Sequence, residues 1–257
     1  MKQKESSVIV QQILVIIATI GTIGVNALAN IIPLNGYTTG AVSNAIPMFF
    51  VPAGYVFSIW SLIYISLTAF AVYQALPKQR EPNKKFMMIR LWYILSCLAN
   101  SVWIVLWHYL YVGTSVVIML VLLFSLIMIY LNLYKSKPNN NKEHWLLYVP
   151  FSLYLSWITV ATITNISAAL TIHEWDYWGV NPTWWAAVLL AVATIITVSN
   201  LIKNHDLIYG LVIIWAFIGI IVKFPDIILV SYTAGAMIAM IVITLLFSGY
   251  NRLVNIH

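Results

Sequence analysis

Eight apolar stretches follow one another along this chain, marked off by polar punctuation, at about 8–32, 53–76, 88–112, 114–134, 146–170, 183–202, 207–223 and 227–248. Crossing the hydrocarbon core of a bilayer as a helix takes ~20 apolar residues, and these runs are of that order. A bilayer admits only helices or closed barrels, because every backbone polar group must be satisfied within the protein. The runs lack the period-two alternation of barrel strands, so they read as helices. With 62% hydrophobic and 8% charged residues in 257, a soluble domain is excluded, since about a quarter of its residues would be charged. The expected fold is all-α, a polytopic membrane bundle of about eight transmembrane helices.

The formal charge of +6 does not indicate nucleic acid, because the basic residues lie in short gaps between spans. The gaps after spans two, four and six are basic, and those after one, three and five are not. With both termini in the cytoplasm, Lys2, Lys4, Lys78, Arg80, Lys84, Lys85, Arg90, Lys135, Lys137, Lys142, Lys203 and Arg252 are inside and Lys223 alone is outside. That asymmetry favours an even number of spans. The apolar N-terminal run continues to Ile32 without a small-residue cleavage site, so it reads as a retained first helix. Cys97, the single cysteine, lies within a span and leaves neither an intrachain disulfide nor a cysteine metal cluster.

Several spans carry polar or small residues that set expectations about packing. Gly21, Gly24, Asn26 and Asn30 in the first span suit close approach and hydrogen bonding by another helix, so this span should face protein. The uncharged loop from Pro33 to Pro52 is long enough to fold over the mouth of a bundle as a lid, or to serve as a plain connector. Gly113 marks the expected turn of a hairpin between spans three and four, and span four, nearly featureless, is expected to face lipid. Trp175, Trp178, Trp184 and Trp185 crowd one outer loop, where an aromatic belt at headgroup depth is the ordinary reading. Ser231, Gly235 and Ala239 form a small-residue seam for another helix or a second copy.

Three spans share an aromatic design. Phe57, Trp60, Ser61 and Tyr64 fall at i, i+3, i+4 and i+7 in the second. Asn100, Trp103, Trp107 and Tyr111 share a face of the third, and Pro150, Tyr154, Trp157, Ala161 and Asn165 share one of the fifth. Large amphipathic rings are not needed for insertion, so they either pack on neighbouring helices or contact a ligand. An unsatisfied amide in hydrocarbon costs several kcal/mol, so Asn100 and Asn165 must point inward, to each other, to carbonyls or to a ligand.

These residues resemble the tryptophan-rich sensory proteins, the TspO/MBR family, relatives of the mitochondrial translocator protein. Pro52, Phe57, Trp60 and Tyr64 look like the family's second-helix pattern, Asn100 and Trp103 like its third-helix N-x-x-W, and Tyr154, Trp157, Thr162 and Asn165 like its fifth. The likeness covers spans one to five and implies a five-helix bundle over residues 1–170 that binds porphyrins, in some members sterols or drug-like molecules, and is usually dimeric. Residues 171–257 would then be a three-helix membrane extension in a longer bacterial variant. Where the family usually places a tryptophan six residues before the motif Trp, this chain has Gly54, so the reactivity ascribed to that indole does not carry over. Its sterol-recognition segment is also missing; Leu246, Tyr250 and Arg252 satisfy the cholesterol pattern, but so do Leu131, Tyr134 and Lys137.

The resulting expectation is a multi-pass plasma-membrane receptor for a flat hydrophobic ligand, a porphyrin or other tetrapyrrole, with a sensory or regulatory role. Phe57, Trp60, Tyr64, Asn100, Trp103, Trp107, Tyr154, Trp157, Ala161 and Asn165 are its candidate binding residues. A porphyrin or haem would be ligand rather than required cofactor. Uncoupled transport of an apolar molecule is the alternative, since no Asp or Glu stands mid-span to couple protons. Paired carboxylates, a nucleophile with a base, and metal-ligand spacing are all missing, which leaves little for an enzyme and no catalytic or metal residues to name. His108, one turn from the outer end of its span, is open to a structural role or to contact with a tetrapyrrole.

Overall fold

The structure is a computed structural model describing residues 2–79, 84–135 and 138–254, with side chains for 6–79, 85–135 and 138–249. Arg80 and Lys137, used above for orientation, lie outside the described residues, as do the side chains of Lys2, Lys4, Lys84, Tyr250 and Arg252. The helices are α1 (Lys2–Ile31), α2 (Thr39–Ala45), α3 (Ile59–Ala75), α4 (Lys84–His108), α5 (Val112–Tyr134), the single turn α6 (Asn141–Glu143), α7 (Val149–Ile172), α8 (Pro182–Asn204), α9 (Leu207–Lys223) and α10 (Ile228–Val254). There is no strand among the described residues. Seven of the helical segments are long and apolar enough to cross a membrane, and α9, with 17 residues, is a shorter apolar eighth. The chain is a multi-pass, all-α membrane protein that sits in a lipid bilayer.

Two compact units divide the chain. The first comprises Met1–Val42 and Ile59–Leu155, the second Ser43–Ser58 and Ser156–His257. In the first, α4 lies along both α5 and α1, and α1 also packs on α3. Met119, Leu122, Leu126, Ile129 and Leu133, at alternating three- and four-residue spacing, bury the α4-facing stripe of α5, while Val117, Leu120, Phe124 and Leu131 are exposed. Span four therefore faces lipid on one side only; its aliphatic residues suit either side, and only Ser115 and Ser125 on the buried stripe hint at the division.

Close packing of α1 does not use its glycines. A Cβ at Gly21 or Gly24 would meet no atom within 4 Å. The protein-facing side is instead marked by polar residues: Thr19 hydroxyl sits 2.9 Å from the Tyr93 hydroxyl, and Thr22 donates to the Cys97 carbonyl at 3.1 Å. At one end of the unit, Arg90 is buried and donates to the Gln74 side chain at 2.9 Å and to the carbonyls of Gln74 and Gln79 at 3.2 and 3.0 Å. A guanidinium there satisfies carbonyls that the end of α3 leaves open and meets the negative end of its dipole. Arg90 counts among the loop cations by sequence, yet it is built into the bundle. Beside it, Lys85 pairs with Glu143 at 3.2 Å, and Glu143 in turn accepts from the Asn139 backbone at 2.9 Å.

The hairpin between α4 and α5 turns at Leu110, not at Gly113, which lies inside α5. Leu110 takes φ 62°, with its N–H on the Trp107 carbonyl (3.2 Å) and that of Tyr111 on Leu106 (2.9 Å), the paired bonds of a left-handed helix stop. Before α7, a turn of π-helix at His144–Tyr148 precedes Pro150, whose missing N–H breaks the regular ladder.

In the second unit α8, α9 and α10 pack pairwise. The segment leading from loop to span two, a 3-10 turn at Gly54–Ser58, lies directly on α9: the Ala53 N–H donates to the Gly219 carbonyl at 3.0 Å, and Trp215 donates its indole N–H to the Val56 carbonyl at 3.2 Å. A Cβ at Gly219 would overlap the Val56 side chain, so glycine is what lets the two backbones meet. The small-residue seam of α10 has no such neighbour: a Cβ at Gly235 would meet nothing within 4 Å.

Candidate functional site

Trp60 is the hub of an aromatic cluster in the first unit. Its ring stacks on Tyr64 (centroids 5.5 Å apart) and Trp103 (6.4 Å), and meets Tyr154 edge-on at 6.1 Å. Trp103 continues the stack to Trp107 at 6.0 Å. Trp103, Trp107 and Tyr154 are buried, whereas Trp60 and Tyr64 keep part of their surface open. Helix geometry explains the set: Trp60 and Tyr64 are one turn apart on α3, and Asn100, Trp103 and Trp107 line one stripe of α4.

A buried amide network stands behind the rings. Asn26 donates to the Asn100 side-chain oxygen at 2.6 Å, and Asn100 donates to the Tyr154 hydroxyl oxygen at 2.9 Å. Asn100 thus fixes the Tyr154 ring and leaves the Tyr154 hydroxyl proton for another acceptor. Tyr64 Oη is buried with no hydrogen-bond partner among the described residues. An unmet hydroxyl away from water costs ~1–3 kcal/mol, so it marks a place where a polar ligand atom would be welcome.

His108 belongs to the loop rather than to a ligand. Its Nδ1 lies 3.3 Å from the Leu34 carbonyl, which can only accept, so Nδ1 carries the proton. Nε2 is then left to accept from the Thr39 hydroxyl at 3.0 Å. With both ring nitrogens engaged and the Asn35 side chain on its carbonyl (3.1 Å), His108 pins the 34–39 stretch. The Trp107 indole N–H does the same through the Thr39 carbonyl at 3.3 Å.

The remaining sequence candidates fall in the second unit. Phe57 belongs to the 3-10 turn Gly54–Ser58 and not to the helical face of Trp60 and Tyr64, because α3 begins only at Ile59. Its ring meets Trp157 edge-on at 5.7 Å. Trp157 and Asn165 are buried there and Ala161 is half-buried. Ser61 is exposed, and Tyr111, placed on the α4 stripe by its spacing, lies past the end of that helix and is exposed too. Asn26 was legible as a polar residue in a span, but its pairing with Asn100 was not; Tyr209, whose hydroxyl donates to Thr159 at 2.8 Å, gave no signal at all.

Fold and site together define a multi-pass membrane protein with an aromatic, amide-backed interior. The chain belongs to the family of TSPO-like proteins, which it matches over residues 12–247. Family and fold make it a membrane binding or transport protein. The match continues through α8, α9 and α10, past the fifth span where the motif likeness stops. No match emerges among curated proteins or among solved structures.

Proposed function

We propose that the protein is a membrane receptor for a flat, largely apolar ligand of the tetrapyrrole kind, with the first-unit rings as its binding surface and a sensory or regulatory outcome. The observation that carries this reading is the buried, unpartnered Tyr64 hydroxyl beside the Trp60 stack. Stacked indoles favour a flat π-system, and aromatic pairs contribute ~1 kcal/mol beyond area. Tyr64 and Tyr154 would each donate to a carboxylate, carbonyl or ring nitrogen of the ligand, while Asn100 and Asn26 hold Tyr154 in place. His108 has no nitrogen to offer a metal, so a bound porphyrin would be held by its face and edge and not through His108. Trp60 and Tyr64, the rings with open surface, are where such a ligand would first make contact.

The test is titration of protoporphyrin IX into the purified protein, following quenching of tryptophan emission. Saturable quenching is expected, with Tyr64→Phe weakening the affinity about fivefold, the worth of one hydrogen bond, at unchanged tryptophan content. Quenching that never saturates, or that Tyr64→Phe leaves untouched, would remove the basis of the assignment.

A further inference from the structure

A second, independent feature lies wholly within the second unit. The outer-loop tryptophans do not all form a belt. Trp178 and Trp184 are 74% and 57% exposed, as headgroup-depth residues are, but Trp175 and Trp185 turn inward. With Tyr177, Phe49 and Phe50 they wall a cavity of about 140 Å³, shared with aliphatic side chains of α7 and α8. The rings brace one another: Trp175 and Trp185 centroids are 5.1 Å apart, and the Trp185 indole N–H donates to the Tyr177 carbonyl at 2.8 Å. The loop that carries them is held in an unusual shape. Glu174, Tyr177 and Trp178 all have φ between 54° and 55°, a region side chains rarely adopt, and the Asp176 carboxylate accepts from the Trp178 N–H at 2.9 Å to keep it so.

The hydroxyl groups on the wall have a definite sense. Thr171 donates its only hydroxyl proton to the Ser167 carbonyl at 2.9 Å, and Ser167 donates its own to Ile163 at 2.8 Å. The 3.0 Å contact between Thr171 and the Tyr177 hydroxyl must then be donated by Tyr177. Every hydroxyl proton on this wall is committed, as is the Trp185 N–H, and what the Tyr177 oxygen retains is the capacity to accept. No charged residue lines the cavity.

We infer that this cavity is a binding site for a small, neutral, single-ring aromatic molecule carrying one hydrogen-bond donor, of which a phenol is the simplest. Its size agrees, since an apolar cavity of ~150 Å³ accommodates one benzene ring. The ring would lie against Trp175, Trp185 and Phe50, and its O–H would donate to Tyr177 Oη. None of the lining residues belongs to the Trp60 cluster, so the two sites stand or fall separately.

The experiment is fluorine NMR of 4-fluorophenol and of fluorobenzene titrated into the full-length protein in lipid nanodiscs, against empty nanodiscs. Both should bind saturably, 4-fluorophenol about fivefold more tightly because it alone makes the hydrogen bond. Tyr177→Phe keeps the ring and the same backbone demand but removes the acceptor, so it should bring 4-fluorophenol down to fluorobenzene and leave fluorobenzene unchanged. Ala186→Leu should fill the cavity and abolish both; if that variant does not fold, Tyr177→Phe decides alone. A response that is linear and equal in empty nanodiscs would show simple partitioning into lipid and overturn the site. Saturable binding indifferent to Tyr177→Phe would overturn the ligand class.

Discussion

The Asn26 side chain donates to the Asn100 side-chain oxygen across 2.6 Å, joining α1 to α4 within the apolar layer, and Asn100 passes the chain of bonds on to Tyr154. Each partner leaves the others with unmet hydrogen-bonding groups if it is removed. Asn26→Leu should therefore cost about 1–3 kcal/mol of stability, as should Asn100→Leu, and the double variant should cost clearly less than the sum. Denaturation by SDS titration in mixed micelles measures all three; additive losses would show that the pair does not act as a unit.

Glycine matters at position 219 and much less at 54. A Cβ at Gly219 would overlap Val56 and come within 3.0 Å of Pro52, both part of a backbone-bonded contact, whereas at Gly54 the nearest atom would be the Asn44 amide nitrogen at an ordinary 3.5 Å. Gly219→Ala should lower stability by about 1–3 kcal/mol through overpacking, while Gly54→Ala should change it little. Thermal melts of the two variants in detergent give the comparison, and equal melting temperatures would contradict the close approach at Gly219.

Orientation rests on the basic residues. Reporter fusions after Asn139 and at the C-terminus should both read cytoplasmic, and one near Asp176 should read external. A C-terminus on the outside would require an odd number of spans and remove α9, the shortest apolar helix, from the count.

What could be read in advance followed from the bilayer, which imposes one length and one kind of secondary structure on each span. The 207–223 stretch matches α9 residue for residue because Asp206 caps its start and Lys223 ends its apolar run. Face assignments failed where the helix was not a plain α-helix. Phe57 left the Trp60 stripe because a 3-10 turn precedes Ile59, and Tyr111 left the Trp107 stripe because Leu110 turns left-handed. The stop at Leu110 has no residue signature, since no glycine or proline stands there, whereas the 3-10 turn does begin at Gly54, two residues after Pro52. Gly219 went unread, since a glycine in an apolar helix that also holds Gly210 announces no partner. The Trp60, Trp103, Trp107 and Tyr154 contacts were legible because spacing alone puts each on an aromatic face, and membrane helices must turn such faces somewhere.

The family pattern places an indole where this chain has Gly54, and that resemblance yields a prediction for the proposed porphyrin complex. With no indole at that place, protoporphyrin IX bound to the protein should keep its absorption spectrum under illumination. Gly54→Trp tests the point from the other side, and the Cβ it adds would meet only the Asn44 side-chain nitrogen, at an ordinary 3.5 Å. Rapid photobleaching of the porphyrin on the unaltered protein would show that Gly54 has no bearing on such chemistry.

The most direct test of the ligand site compares Trp60→Leu with Trp215→Leu by the absorption shift of protoporphyrin IX, a readout that does not depend on tryptophan emission. Trp60 centres the proposed binding surface, whereas Trp215 meets Tyr55 edge-on and ties its indole to the Val56 carbonyl. Losing one stacked ring should weaken binding about fivefold in Trp60→Leu, and Trp215→Leu should bind as the unaltered protein does while melting at a lower temperature. Equal losses of affinity in the two variants would mean that the aromatic faces serve packing in general and that the Trp60 cluster is not a binding site.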